Sequence, residues 1–360
     1  MRRQIANSRR SPRSAFTLLE LLVVLAIIAI IVSLTLAAVQ GILTSQDKKN
    51  TELTVKRLDE AIKAQMRAVI QQANEIPIPP SVMAIANNDP RRAKVIWIKL
   101  QLKRNFPMTF REALWPWAVD GNPTSTYPPP AGGYPAPILM APLPNSPNFG
   151  TGAASPLTPN DLPPLKAFVD AISSVASSTG QIQGAGYYSP DEASHLLYIS
   201  LSIERRGTKF VPEQQLGPAA IYQDPSGQGS LRGFKDAWDQ PIVFFRWPTD
   251  FPDNRAVTTG DPQDPEGTLQ DSKWNNAANW AAPTGLVYLF EQLCHPIHST
   301  AANLPVAFYC PPAIVSGGPN KRLGLLMTPS NPLLSPNFGM ALDAADPSGA
   351  NENIVSYTLK

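Results

Sequence analysis

Residues 16–39 read FTLLELLVVLAIIAIIVSLTLAAV, an apolar run long enough to cross a bilayer, with one acid, Glu20, near its front end. An apolar anchor has no use for a carboxylate. A charged side chain deep in a span costs roughly 2.5–3.5 kcal/mol on insertion scales, so it marks a function by default. Something must meet Glu20 in the membrane.

The residues before the run set its orientation. Arg2, Arg3, Arg9, Arg10 and Arg13 precede it with no acid among them. The whole chain carries 30 Lys and Arg against 28 acids, a net charge of +2, and without those five arginines the balance is −3. The basic character belongs to the leader, so the composition gives no support to a nucleic-acid partner. A basic stretch before a span stays in the cytoplasm and the remainder is exported. The run is longer than a secretory h-region and no A-x-A cleavage site follows, so it stays as an anchor. Cys294 and Cys310 then lie in an oxidising compartment. A disulfide between them is the default expectation, and two buried thiols are the alternative.

The stretch Ser14-Ala15-Phe16-Thr17-Leu18-Leu19-Glu20-Leu21-Leu22-Val23-Val24 resembles the amino-terminal signal of type IV pilins and type II secretion pseudopilins. The resemblance implies a cut between Ala15 and Phe16 by a prepilin peptidase and methylation of the new amino terminus. Ala15 stands where that family usually has Gly. It implies a role for Glu20 as well: the ammonium of a neighbouring Phe16 pairs with it, and each charge removes the other's penalty in low dielectric. Further partners implied are other pilin or pseudopilin subunits, an inner-membrane assembly platform and the lipid bilayer.

The helix is expected to continue past the membrane. Val55, Leu58, Ile62, Met66, Val69 and Ala73 step by three or four, with Lys56, Arg57, Asp59, Glu60, Lys63 and Arg67 around them. Pro77, Pro79 and Pro80 stop it. From Phe16 to Asn74 the helix would be about 85–90 Å long. A coiled coil is the other use of such a stripe, and its short length argues against one.

With 39 prolines the chain must turn often. Asp89-Pro90 is a helix start, although the body VIWIKLQL at 95–102 reads equally as a strand. Thr109 to Glu112 and Ser189 to Glu192 are capping boxes. Leu165, Phe168, Val169, Ile172 and Val175 form a helical face, and 121–164 reads as a long surface loop. Strand patterns follow at 242–247, 286–290, 306–310, 322–327 and 353–359, implying an antiparallel sheet with one face buried.

Asp236-Ala237-Trp238-Asp239-Gln240-Pro241 is similar to a turn of the major pseudopilin, with Asp239 where Gly is usual. The stretch from Val315 to Gly324, and Glu352-Asn353-Ile354, are similar to that family's calcium loop. The resemblance implies calcium held through Asn320 and Glu352, with Asp343 and Asp346 able to add charge. Asn320 replaces an acid and only Glu352 of the final pair is charged, which weakens such a site against a plain solvated loop.

Other chemistry is thinner. Cys294, His295, His298 and Cys310 have ligand types for zinc but irregular spacing. Asp261, Asp264, Glu266 and Asp271 read as a solvated acidic loop more readily than as a metal site. No nucleophile elbow, phosphate loop, HExxH or dinucleotide fingerprint occurs, so nothing in the sequence supports an enzyme.

The expected fold is α+β: a long amino-terminal transmembrane helix packed on an antiparallel sheet, with an enlarged head of short helices and Pro-rich loops. The expected divisions are a leader at 1–15, a span at 16–40, an amphipathic continuation at 41–75, an inserted helical and Pro-rich region at 76–230 and a β-rich region at 231–360. The expected function is a prepilin-like subunit of a secretion pseudopilus or a pilus, in the inner membrane with its head periplasmic or extracellular. A membrane-anchored binding module that does not polymerise is the alternative.

Overall fold

The computed structural model describes residues 18–114, 116, 157, 160–179, 190–223, 231–247, 261–272, 297–298, 305–307, 311–325 and 346–359. The chain forms two compact units, residues 1–47 and 48–360, and helix α1, Leu18–Glu75, contributes to both. In the first unit α1 is apolar and exposed over Leu18–Leu36, with a mean hydropathy of 2.9. That segment is long and apolar enough to cross a membrane.

In the second unit α1 becomes one-sided. Val55, Leu58, Ile62, Met66, Val69 and Ala73 are all buried in the head's core, whereas Lys56, Glu60, Lys63 and Arg67 face water. The stripe packs on the head of its own chain. The prolines that follow then end the helix and start α2, Pro80–Ile85. Asn87 and Asn88 take left-handed backbone angles and turn the chain into α3, Pro90–Asn105. Asp89 caps α3 by accepting from the N–H groups of Arg91 at 2.9 Å and Arg92 at 3.4 Å, with Pro90 in the first turn. The alternation in VIWIKLQL therefore belongs to a helix. Its residues 95–103 are all buried, which is why it shows no polar face.

Helices α4, Phe110–Leu114, α5, Lys166–Thr179, α6, Pro190–Ser202, and α7, Pro212–Gln215, complete the helical part. Phe168 and Ile172 bury the face expected of α5. Strands β1, Ile221–Gln223, and β2, Arg232–Phe234, form one antiparallel pair. Strands β4, Ile297–His298, and β5, Pro305–Ala307, form another. The third sheet has the order β3-β6-β7, from Val243–Phe245, Ala313–Ser316 and Ile354–Val355. Val315 lies opposite both Val243 and Val355.

This sheet is buried on both faces, not on one. Phe244, Ile314 and Ile354 join the main core with α1 and α3. Val243, Phe245, Ala313, Val315 and Val355 form a second cluster with Met108 and Ala193. Two covered faces explain why VFF and the AIV of β6 are continuous apolar runs. The expected strands at 322–327 and 353–359 are curtailed. Residues 322–324 form a loop, and the chain after Val355 winds into a 3₁₀ turn. The patterns at 286–290 and 308–310, and residues 121–156 of the expected loop, lie outside the described residues.

Helix α6 is pinned to β2 by one hydroxyl. Ser194 Oγ donates to Phe234 O at 2.7 Å and accepts from Phe234 N at 2.8 Å. Gly233 lets the two elements approach this closely, because a Cβ there would stand 2.9 Å from that hydroxyl and 2.6 Å from the Tyr222 ring.

Candidate functional site

Glu20 lies in the first turn of α1, within the exposed apolar segment. A carboxylate there also suits the positive end of the helix dipole. Ala15, Phe16 and the leader arginines lie outside the described residues.

The amphipathic half of α1 is fixed to the head by polar bonds as well as by its stripe. Thr51 is buried, and its Oγ1 accepts from Ala237 N at 3.1 Å. Arg57 donates to Gln215 O at 2.7 Å. Further along, Gln65 meets Arg205, a guanidinium only 4% exposed. Arg205 donates to Gln65 Oε1 at 3.1 Å, Asn105 Oδ1 at 3.0 Å, Asn105 O at 3.2 Å and Ser200 O at 2.6 Å. It also lies over the Phe106 ring, 4.9 Å from its centroid. Burial pushes its pKa down to about 10. One side chain thereby ties α1, α3 and the end of α6. Its neighbour Arg206 is at the surface and pairs with Glu75 at 2.6 Å.

The turn at 236–241 is the second fixing point. Asp236 is buried, and its Oδ1 accepts from Trp238 N and Gln240 N, each at 2.9 Å. Its Oδ2 accepts from Ser316 Oγ at 2.7 Å, and that oxygen accepts from Gly318 N at 3.1 Å. Asp236 thus joins the 236–241 turn to the loop that follows β6. Burial raises its pKa, against the opposing pull of the Ser316, Gln240 and Trp238 hydrogen bonds. Asp239 has φ +62°, the left-handed conformation that Gly adopts without strain.

The 316–324 loop folds onto 346–353. Asn320 Nδ2 donates to Gly349 O at 2.8 Å, and its Oδ1 accepts from Arg322 N at 2.9 Å. These partners fix the amide's orientation, since a carbonyl needs the NH₂ and an N–H needs the oxygen. Arg322 Nε stands 2.9 Å from Asp346 Oδ2. Glu352 is exposed. Calcium takes about six to eight oxygens. Here the Asn320 oxygen is taken by a backbone N–H, the amide turns a donor toward Gly349, and the Asp346 carboxylate is held by a guanidinium. Among the described residues this donor set does not fit calcium, and no group of three or more His, Cys, Asp or Glu is placed to hold a metal. Asp343 lies outside them, as do Cys294, His295, Cys310 and the side chain of His298, so both the disulfide and the zinc set fall there.

The acidic stretch 261–271 is not a solvated loop. Asp261 pairs with the buried Lys99 at 2.7 Å, Glu266 with Arg91 at 2.9 Å and Asp271 with Arg92 at 3.2 Å. Asp264 accepts from Thr268 N at 2.8 Å and Leu269 N at 2.7 Å. The acids match cations spaced along α3, which carries this stretch across the core. The two expected capping boxes also serve longer connections. Glu112 N donates to Thr109 Oγ1 at 3.0 Å as expected, but the Glu112 carboxylate pairs with Arg246. Ser189 lies outside the described residues, and Glu192 accepts from Phe110 N.

Residues 10–36 match the family model of the prokaryotic N-terminal methylation motif, the prepilin-type signal. The motif implies a type IV pilin- or pseudopilin-like protein processed by a prepilin peptidase and anchored by a single span. The match covers the signal and the span and leaves the head unassigned. No curated protein and no solved structure matches the chain.

Proposed function

We propose that this chain is a structural subunit of a type II secretion pseudopilus or type IV pilus. It is cut between Ala15 and Phe16, methylated on the Phe16 nitrogen and assembled from the inner membrane with its head outside the cytoplasm. The observation that carries this reading is the methylation motif at 10–36 opening a helix, Leu18–Glu75, whose second half is built into an α+β head. In this reading the Phe16 ammonium of one subunit pairs with Glu20 of the next. The pair lowers the membrane penalty of both charges only when subunits stand in register, so it favours assembly over the isolated chain. The partners are the peptidase, other subunits of the fibre, the assembly platform and the bilayer. Asp236, Thr51 and Arg205 hold the head on the helix that enters the fibre.

Mass spectrometry of the mature protein tests the processing step, and the expected amino terminus is N-methylated Phe16. A retained Met1 reduces the segment to a plain signal anchor. Glu20→Ala tests assembly: the variant inserts and is processed but is lost from sheared or cross-linked fibres. Normal incorporation of that variant refutes the pairing.

A further inference from the structure

The contacts between 316–324 and 346–353 form a junction at the edge of the β3-β6-β7 sheet. Val315 and Ser316 pair with Val355 and Ile354 beside it. The two segments approach so closely that a Cβ on Gly318 would lie 2.2 Å from Glu352 O, and one on Gly324 2.3 Å from Ala350 N. Both glycines have positive φ, +69° and +56°, so the tight fit is set by the backbone. Asn353 Nδ2 donates to Leu323 O at 2.8 Å, adding to the Asn320 bond to Gly349.

The junction gathers backbone carbonyls around the mostly buried Asp346 carboxylate, while the Glu352 side chain is exposed and Arg322 reaches in from the surface with its side chain 61% exposed. Gly349 O accepts from an amide, and the Asp346 carboxylate, whose side chain is 18% exposed, meets the Arg322 guanidinium. Gly349 N in turn bonds Asp346 O at 3.1 Å, so the acid is held at the start of the segment it closes. We propose that Arg322 is the resident cation of this junction: its guanidinium on Asp346, with the Asn320 amide on Gly349, closes the β6–β7 edge without a divalent ion. Asn in place of an acid at 320 and a cation two residues later then act together. Each substitutes a donor for something a bound metal supplies.

The test uses the full chain in detergent, with hydrogen exchange read by mass spectrometry on peptides spanning 311–325 and 346–359. The wild-type protein is compared in EGTA and in calcium chloride. The expected result is the same exchange and the same unfolding midpoint in both, and slower exchange with calcium overturns the proposal. Arg322→Ala is expected to speed exchange of the 346–359 peptide about fivefold in EGTA, the upper range for a partly exposed pair. Unchanged exchange overturns the proposal. The double variant Asn320→Asp with Arg322→Ala releases Asp346 and adds a carboxylate facing Gly349 O. It is expected to exchange faster in EGTA and to slow in calcium, and a double variant indifferent to calcium overturns the proposal.

Discussion

The ion pair between Glu112 and Arg246 gives the sharpest test of how the head is held together. It joins α4 to the residue after β3, so it links a helical segment to the central sheet. The fork is bidentate: Nη2 to Oε1 at 2.5 Å and Nη1 to Oε2 at 2.9 Å, with side chains 1% and 5% exposed. Arg246 also donates to Phe106 O at 2.7 Å and lies 4.3 Å from the Trp247 ring centroid, while Glu112 accepts from Met108 N at 2.6 Å. Removing one partner leaves a buried charge, so Glu112→Leu and Arg246→Met should each cost about 3–5 kcal/mol. The double variant removes both charges and leaves Phe106 O and Met108 N without these side-chain partners, at about 1–3 kcal/mol each. Its loss is therefore roughly 2–6 kcal/mol against roughly 6–10 for the two singles together, an interaction of about 4 kcal/mol. Urea unfolding of the purified chain, followed by far-UV circular dichroism, measures all four species. A single variant losing less than about 1 kcal/mol, or a double variant equal to the sum of the singles, refutes the reasoning.

Three further substitutions probe the seat of the helix. Arg205→Met keeps the apolar stem on Phe106 but strands the carbonyl oxygens of Ser200, Asn105 and Gln65, and should cost about 3–5 kcal/mol in the same unfolding experiment. Asp236 has a raised folded pKa, so the folded state holds its proton to higher pH than the unfolded chain does. Stability from this group therefore rises as pH falls from the raised value toward the ordinary one near about 3.9. Asp236→Asn should flatten that part of the pH–stability profile, and an unaltered profile counts against the assignment. Asp239→Gly relieves a left-handed φ and gives up the surface bond to Lys235 and a weaker attraction to Lys321, so its unfolding midpoint should rise. A fall would show that the Lys235 bond outweighs the strain.

The sequence reveals what is periodic or local, and conceals what depends on distant partners. The stripe from Val55 to Ala73 was legible because helical spacing leaves one face apolar, and all six residues are buried. Asp89-Pro90 was legible because capping is decided within one turn. The double cover of the sheet is not legible locally, because it comes from both sides: Met108 and Ala193 lie far from β3 and β6 in sequence. The acids at 261–271 were visible, but their cations on α3 lie more than 150 residues earlier. Arg205 and Arg206 are adjacent and chemically identical, yet one is a buried hub and the other a surface ion pair. Nothing local separates them, since the difference lies in Asn105, Gln65 and the end of α6. At the amino terminus the signal was readable throughout, because it is written in consecutive residues.

The bonds that seat α1 reach far along the chain. Thr51 waits for Ala237, 186 positions later, and Gln65 for Arg205, 140 positions later. The β3-β6-β7 sheet, which shares the stripe's core, closes only with Ile354 and Val355. During synthesis the face from Val55 to Ala73 therefore emerges long before its cover. Non-local closure of this kind is slow and leaves apolar surface open to the wrong partner. The order in which the chain appears thus leaves the helix stripe in need of a temporary cover until the rest of the head has been made.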